Sequence, residues 1–353
     1  MITLHIFKMR TKIISTTCVL SSGVFLFSML AGRMNKTVSI DNEVIKQSAA
    51  KSMLLLQKSA YVFTNNNKLK CASCHNNTLT AMATEIAREK GIPVIDSFSA
   101  HNIAAMKHTL ALACNPNKIN EFLSANFVIP YILVGLSAEK YPPDIYTDIA
   151  VDYIMSQAKP DGSFLAESFR VPLENGDIHL TAMAIRSIQL YASAAKKQHV
   201  NEGVRKTRLW LEQAQTDQQQ ELAFQLLGMH WCGSNNDQKN KIAQKLESMQ
   251  NADGGWSQLT TLKSDPYATG QILYALYESG MVKTDDAVYQ KGLYYLLKTQ
   301  NEKGAWVLET RSFAIQPPMT SDFPPYNHDE FISAAASNWA VMALMNALPN
   351  KTK

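Results

Sequence analysis

The sequence carries little charge and no concentrated run of one sign. Lys and Arg together number 34 and Asp and Glu 30, so the net charge is +4 and the charged fraction is 18% over 353 residues. Because no basic block is present to neutralise phosphates, the composition argues against a nucleic-acid-binding protein. Apolar residues make up 46% of the chain, which is enough to bury a large core and excludes intrinsic disorder.

Glycine, proline and strand patterns are also limited. The 15 Gly and 13 Pro residues exclude a collagen-like or proline-rich chain. No segment alternates apolar and polar residues as a half-buried strand would, and from about Glu43 onward the apolar spacing is helical. The length allows two or three domains or one large closed domain. We therefore expect an all-α protein.

One long apolar segment lies at the N-terminus. Lys8, Arg10 and Lys12 precede the uncharged run 13–32. This pattern predicts an export signal or a single membrane anchor within residues 1–33, with a buried core helix as the alternative. Since the basic residues precede the apolar run, the body is expected outside the cytoplasm. The body of the protein would be periplasmic, either anchored to the inner membrane by residues 13–32 or secreted after cleavage of the signal.

A turn that follows a glutamine recurs along the chain. Copies lie at 157–164, 250–256 and 300–306, with a degraded copy at 210–217. Helical patterns before and after the turns pair into about six helical hairpins, and no terminal repeat is polar. This favours a closed ring over an open solenoid. The expected first helices lie near 44–60, 99–113, 143–158, 202–214, 236–250 and 284–299, and their partners near 75–90, 119–138, 177–194, 218–232, 266–280 and 329–347.

The Gln-x-x-Asp-Gly-Gly-Trp turn at 250–256 and its copies resemble the QW repeats of the prenyltransferase and squalene/terpene cyclase superfamily. The resemblance extends over residues 43–349 and implies an α/α toroid of alternating outer and inner helices. It also implies that the glutamine and the aromatic residue tie neighbouring outer helices together. The residues to which this scaffold role would apply are Gln157, Gln250, Trp256, Gln300 and Trp306.

In such a ring the N-terminal ends of the inner helices gather at one mouth. Polar residues that are far apart in sequence would meet there, and the helix N-termini would favour an anionic group. Asp265, His328 and Asp329 are the candidate catalytic residues, although helix capping explains the aspartates as well. The residues expected at the mouth are Cys71, Cys74, His75, Asp177, His179, Asp265, His328 and Asp329.

The segment Cys71-Ala72-Ser73-Cys74-His75 has the spacing of a c-type haem attachment site. Both thiols would bind the haem vinyl groups, and His75 would bind the iron. One alternative is a Cys71–Cys74 disulfide in an oxidising compartment. Another is a zinc site formed by both cysteines and His75, with His179 or His328 as the fourth ligand. The candidates for a distal iron ligand are His179, His328 and Met106.

These features predict a haem-binding toroid with a redox or ligand-sensing role, a redox partner and a hydrophobic or prenyl-like ligand. The alternative is an isoprenoid- or glycan-type toroid enzyme or binding protein with a structural cysteine pair. Whether the protein catalyses a reaction stays open. For glycan chemistry the available residues are Arg170, Arg311, Tyr326, His328 and Asp329.

Ordinary terpene cyclisation is not favoured by the sequence. The resemblance implies an Asp-x-Asp-Asp motif at the start of an inner helix, where one carboxylic acid must be kept protonated. The corresponding segment, 264–269, contains a single acid, Asp265. The chain is also about half the size expected for a two-domain cyclase.

Overall fold

The computed structural model describes residues 40–113, 115, 125–167, 170–312 and 321–351. These residues form twelve α-helices and no β-strand, apart from two isolated bridges. The prediction of an all-α protein is therefore confirmed. The helices are α1 (Asn42–Asn66), α2 (Leu79–Lys90), α3 (Asp96–Ala113), α4 (Ala125–Ala138), α5 (Ile145–Ser156), α6 (Asp177–Tyr191), α7 (Lys197–Gln213), α8 (Gln219–Trp231), α9 (Asn236–Ser248), α10 (Pro266–Glu278), α11 (Ala287–Thr299) and α12 (Glu330–Asn346).

The even-numbered helices form a closed inner ring. Each packs against the next in the order α2, α4, α6, α8, α10 and α12, and α12 returns to pack against α2. The odd-numbered helices lie outside them; α1 packs on α12 and α2, α5 on α4 and α6, and α11 on α10 and α12. The described residues thus form a toroid of six hairpins and not an open solenoid.

Burial follows the residue pattern that separates inner from outer helices. Residues 219–229 of α8, 266–276 of α10 and 332–346 of α12 are all buried. A helix that is apolar nearly all round needs neighbours on every side, which only the inner ring provides. The outer helix α7 buries only Thr207 and Leu211, so its polar faces meet solvent.

Two of the repeated glutamines join neighbouring outer helices, as predicted. Gln250 Nε2 donates to the carbonyl of Val288 in α11 at 2.8 Å. Gln300 Nε2 donates to the carbonyl of Ser48 in α1 at 3.1 Å, and the Ser48 hydroxyl donates back at 2.7 Å. Gln300 therefore joins the last hairpin to the first and closes the outer layer.

The prediction is wrong for Gln157, whose exposed side chain donates, among the described residues, only to the adjacent Ser156 hydroxyl at 3.0 Å. At this turn Thr207 of α7 makes the link instead, since its hydroxyl donates to the Gly162 carbonyl at 2.6 Å. Gly162 has a φ of +87°, and a Cβ there would lie 2.5 Å from the Thr207 nitrogen. Only glycine allows the turn to approach α7 this closely.

The two tryptophans have a scaffold role within their own hairpins. Trp256 Nε1 donates to the Leu246 carbonyl and Trp306 Nε1 to the Leu296 carbonyl, each at 2.7 Å. Both acceptors lie in the outer helix that precedes the turn. The indoles are fully buried, so each fixes the chain that leaves the turn against the helix that entered it.

The predicted signal or anchor at 1–33 lies outside the described residues. Among the helices of the described ranges, none is both long enough and apolar enough to cross a membrane. Export, anchoring and a periplasmic location stay predictions.

Candidate functional site at the mouth of the ring

Residues that precede three different inner helices lie close together. The charges of Glu174 and Arg170, in the loop before α6, act on the Cys74 thiol before α2. Gln220 links the same loop to the start of α10, since it donates to the Pro172 carbonyl at 2.6 Å and accepts from the Tyr267 hydroxyl at 2.9 Å. The ring therefore brings together polar residues that are far apart in sequence, as a shared mouth requires.

The cysteine–histidine segment is held by side chains of α3, of α12 and of the residue that follows α1. Asn67 clamps Cys71, accepting from its nitrogen and donating to its carbonyl, each at 2.9 Å. The Ala72 nitrogen donates to Thr109 of α3 at 2.6 Å, and Asn338 of α12 donates to the His75 carbonyl at 3.2 Å. The chain then forms a π-helical turn, Cys74–Thr78, that leads directly into α2. The segment is thus a fixed part of the ring.

The His75 imidazole is buried between aromatic rings. Its centroid lies 5.6 Å from that of Phe63 and 5.7 Å from that of Phe331. Nδ1 lies within hydrogen-bond distance of the Asn76 side-chain amide, 2.9 Å from Oδ1. Burial lowers the pKa of His75 to about 4, so the ring is neutral at pH 7.

Both cysteines of the motif are free thiols, so the disulfide alternative is not formed. Burial, assisted by the charge of Glu174, raises the pKa of Cys74 to about 12. The pKa of the half-buried Cys71 is also raised by desolvation. Thiols in such surroundings stay protonated and are poor nucleophiles.

As folded, this segment does not fit a c-type haem. Cys74 is 5% exposed and His75 7%, so a macrocycle bonded to both would require this part of the ring to open. No three His, Cys, Asp or Glu side chains in the described ranges are arranged to hold a metal ion. In this conformation His179 and His328 therefore do not complete a zinc ligand set with the cysteines.

The three candidate distal ligands have other surroundings. His179 Nε2 lies 2.7 Å from the Tyr131 hydroxyl and Nδ1 3.2 Å from the Asn175 carbonyl, so both ring nitrogens are engaged. Met106 is fully buried, and its sulfur would lie 2.9 Å from a Cβ at Gly135. His328 is exposed, with Nε2 3.2 Å from Asp329 Oδ1. In this conformation neither His179 nor Met106 is free to bind iron.

Asp265 has a clear scaffold role. Oδ1 accepts from the Ala268 nitrogen at 2.8 Å and caps α10, while Oδ2 accepts from the Gln258 nitrogen at 3.1 Å. Asp177 and Asp329 likewise accept from the segment that precedes their own helices, at 2.8 Å each. These aspartates tie the chain after a turn to the next inner helix. Burial raises the pKa of Asp265 to about 6, although the hydrogen bonds to its carboxylate lower the pKa and oppose this shift.

Arg311 differs from the other charged residues of the mouth. Its half-buried guanidinium donates through Nε to Gln258 Oε1 at 2.8 Å. Its terminal nitrogens have no hydrogen-bond or ion-pair partner among the described residues. Burial lowers its pKa, and the charge of Asp265 opposes that shift. Arg170, in contrast, is paired through two nitrogens with Glu174, at 3.2 and 3.1 Å.

Sequence reasoning missed a buried polar network around α6. Tyr267 donates to Gln220 Oε1 at 2.9 Å, and Gln220 Nε2 donates to the Pro172 carbonyl at 2.6 Å. The Glu221 carboxylate accepts from the backbone nitrogens of Ile178 and His179, at 3.1 and 3.3 Å. The polar run 218–221 suggests a surface loop by itself. Its place at the start of an inner helix was the signal that these side chains would be buried.

Aromatic side chains fill the ring further along the helices. His179 stacks on Phe224 at 3.8 Å, Phe224 meets Trp339 at 6.2 Å, and Trp339 meets Tyr274 at 5.3 Å between ring centroids. These contacts link α6, α8, α12 and α10. The mouth is therefore a polar layer, and aromatic side chains pack together below it inside the ring.

Neither a family model nor a curated relative matches this sequence. Solved structures share its fold. A protein from Actinoplanes superposes with a TM-score of 0.56 at 14% identity, covering 86% of this chain and 99% of that one. A possible GH105 family member from Klebsiella pneumoniae gives 0.52 at 10% identity, covering 95% and 99%.

A variant of MstE, a type II terpene cyclase from Scytonema, bound to the substrate geranylgeranyl dihydroxybenzoate, gives a TM-score of 0.55 at 15% identity. The match covers 87% of this chain and 98% of that one. Identities this low show the fold alone. The match nevertheless extends over nearly the whole of that chain.

Proposed function

We propose that this protein binds a small amphipathic molecule at the mouth of the ring, with an isoprenoid-type chain and an anionic end. The observation that carries the proposal is Arg311, a half-buried guanidinium whose terminal nitrogens have no partner among the described residues. A desolvated cation is costly unless an anion compensates it. The inner-helix N-termini add positive potential at the same mouth.

The fold and the aromatic side chains inside the ring support the proposal that the ligand has an apolar chain. Trp339, Tyr274 and Phe224 pack against one another inside the ring and are at most 8% exposed, so an apolar chain would reach them only where the ring opens. The similar toroid of MstE is bound to geranylgeranyl dihydroxybenzoate, a molecule with a carboxylate at one end and a prenyl chain at the other. Analogy at the level of the fold is an associational argument, and this compound is therefore the first probe and not the assigned ligand.

The test is a titration of the full-length protein in detergent with geranylgeranyl dihydroxybenzoate, followed by tryptophan fluorescence. Arg311→Gln removes the charge and is expected to weaken binding by about tenfold or more, since a hydrogen bond to a charged group contributes ~1.5–3 kcal/mol. The matched control is Arg205→Gln on the outer surface, where Arg205 already pairs with Glu202 at 2.8 Å.

Equal affinities for Arg311→Gln and the unaltered protein, or no binding of the probe, would contradict the proposal. The carboxamide of the probe provides an internal check, because it keeps a hydrogen-bond acceptor but loses the charge, so its affinity should depend less on Arg311 than that of the carboxylate. Product analysis of the same mixtures distinguishes binding alone from catalytic turnover of the probe.

A separate proposal rests on the motif. It is that haem is attached at Cys71 and Cys74 with His75 as iron ligand, and that the protein has a redox or sensing role and a redox partner. Bound haem would supply electron-transfer or ligand-binding chemistry. The buried, fixed segment argues against it in the folded protein.

A further inference from the structure

A cleft lies at the end of the ring opposite the mouth. Because α2 begins at the mouth, its last residues, 85–90, lie at the other end, and α4 ends there as well. The cleft, of about 370 Å³, is formed by these two helix ends and the first turns of α3. Clefts that hold small molecules have volumes of roughly 300–1,000 Å³, so this one is large enough for a small ligand.

Acidic side chains outnumber basic ones in the lining of the cleft. Four carboxylates and two cations leave a net charge of −2, and these residues are Glu85, Glu89, Asp96, Glu139, Arg88 and Lys140. The C-terminal ends of α2 and α4 add negative partial charge. The N-terminus of α3 opposes it but already has Asp96 in its first turn. The electrostatics of the cleft therefore favour a cation.

Two of the acids have no partner among the described residues. Neither the Glu85 nor the Glu89 side chain makes a hydrogen bond or an ion pair there. They lie four residues apart on one side of α2, where Cβ atoms are ~5–6 Å apart and like charges destabilise the helix. Desolvation raises the pKa of the half-buried Glu85, the charge of Glu89 adds to this rise, and that of Lys140 opposes it.

Glu139 provides a second observation, which is independent of the charge balance. Its side chain is only 2% exposed; Oε2 accepts from Arg88 Nη1 at 2.6 Å, and Oε1 has no partner among the described residues. Most other buried unpaired atoms of the described chain belong to neutral side chains, whereas leaving a charged group unpaired costs more. The lining of the cleft thus lacks a hydrogen-bond donor for Glu139.

The lining selects an organic cation over a metal ion. Nowhere in the described ranges do three His, Cys, Asp or Glu side chains have an arrangement that could hold a metal. Ala100, Ile103 and Ala138 give the cleft an apolar wall, against which methylene groups can pack. Two unpaired carboxylates beside such a wall match two ammonium groups on a short aliphatic chain.

We propose that this cleft binds a small aliphatic diamine, whose ammonium groups pair with Glu85 and Glu89 and donate to the free oxygen of Glu139. The site lies at the end of the ring away from Arg311. It therefore does not depend on the ligand proposed for the mouth, and the two proposals are tested with different probes.

The test is isothermal titration calorimetry of the full-length protein in detergent with 1,4-diaminobutane. The diamine should bind at a single saturable site. Butan-1-amine has one ammonium group and should bind about tenfold more weakly or worse, as the loss of one charge-assisted hydrogen bond predicts. Magnesium chloride at the same concentration should not displace the diamine.

Glu85→Gln distinguishes binding from a structural role. It keeps the size of the side chain, removes one unpaired charge, and should weaken diamine binding by about tenfold. Without the diamine the variant should unfold at the same denaturant concentration as the unaltered protein or a higher one, because its repulsion from Glu89 is lost. The matched control is Glu202→Gln on the outer surface, where Glu202 pairs with Arg205, and it should leave the affinity unchanged.

Four results would overturn the proposal. These are no saturable binding of 1,4-diaminobutane, equal affinities of Glu85→Gln and the unaltered protein, binding of butan-1-amine as tight as that of the diamine, and displacement of the diamine by magnesium. A loss of stability in Glu85→Gln without the diamine would show that this carboxylate supports the fold, and would equally overturn it.

Discussion

Replacing Glu221 by glutamine should change how stability depends on pH. The Glu221 side chain caps α6 from the neighbouring helix α8, accepting from the nitrogens of Ile178 and His179. No basic side chain among the described residues acts on it, and only 6% of the residue is exposed. Desolvation therefore raises its pKa from 4.5 to about 7, although the backbone donors oppose the shift.

The magnitude follows from linkage. One pKa unit corresponds to ~1.4 kcal/mol, so a rise from 4.5 to about 7 costs the ionised folded protein about 3 kcal/mol. The folded pKa is the higher one, so this contribution to stability is fully present below pH 4.5 and is lost as pH rises to about 7. Glutamine does not ionise, so the variant lacks this dependence.

The assay is urea unfolding of Glu221→Gln and of the unaltered protein at intervals from pH 4 to 8. The difference in unfolding free energy should change by about 3 kcal/mol across this range in favour of the variant at high pH. Subtraction removes the opposite dependence of His75 and His179, whose lowered pKa values destabilise the fold in acid. For the exposed control Glu202→Gln, the difference in unfolding free energy from the unaltered protein should hardly change with pH. A flat difference for Glu221→Gln would refute the reasoning.

Two further predictions concern the ring closure and the cysteine motif. Gln300→Ala removes both contacts with Ser48 and should destabilise the protein by ~2 kcal/mol, with faster hydrogen exchange in α1, because about two net hydrogen bonds are lost. Gln157→Ala, at the exposed copy, should change stability by less than ~0.5 kcal/mol, and equal effects would contradict the closure role. Mass spectrometry of denatured protein from cells that attach haem should find bare Cys71 and Cys74, and a haem adduct lost in the double alanine variant would establish the haem proposal instead.

Regular apolar spacing made the helices predictable. The expected helix near 266–280 is observed as Pro266–Glu278, where Asp265 caps the first turn and Pro266 occupies the first helical position. The expected helix near 236–250 is observed as Asn236–Ser248. Such signals are local, so they can be read from a few consecutive residues.

The functional roles of polar residues could not be predicted in the same way. Asp265 and Arg311 both lie at the mouth, yet Asp265 is engaged by two backbone nitrogens and Arg311 keeps its terminal nitrogens unpaired among the described residues. Gln157 and Gln300 occupy equivalent turns, and only Gln300 reaches the next outer helix. The copy at Gln157 is one residue longer, with Gly162 five residues after the glutamine, whereas Gly304 lies four residues after Gln300.

The sequence by itself determined that the chain is helical, that its hairpins repeat, and that inner helices without a polar face must close into a ring. These properties depend on periodicity and on the need to bury apolar surface. Only the tertiary structure decided what the cysteine–histidine motif becomes. Asn67, Thr109 and Asn338 reach it from three separate parts of the chain and hold it inside the ring. Burial then keeps the Cys74 thiol protonated and His75 neutral, because it removes water from groups that would otherwise be solvated.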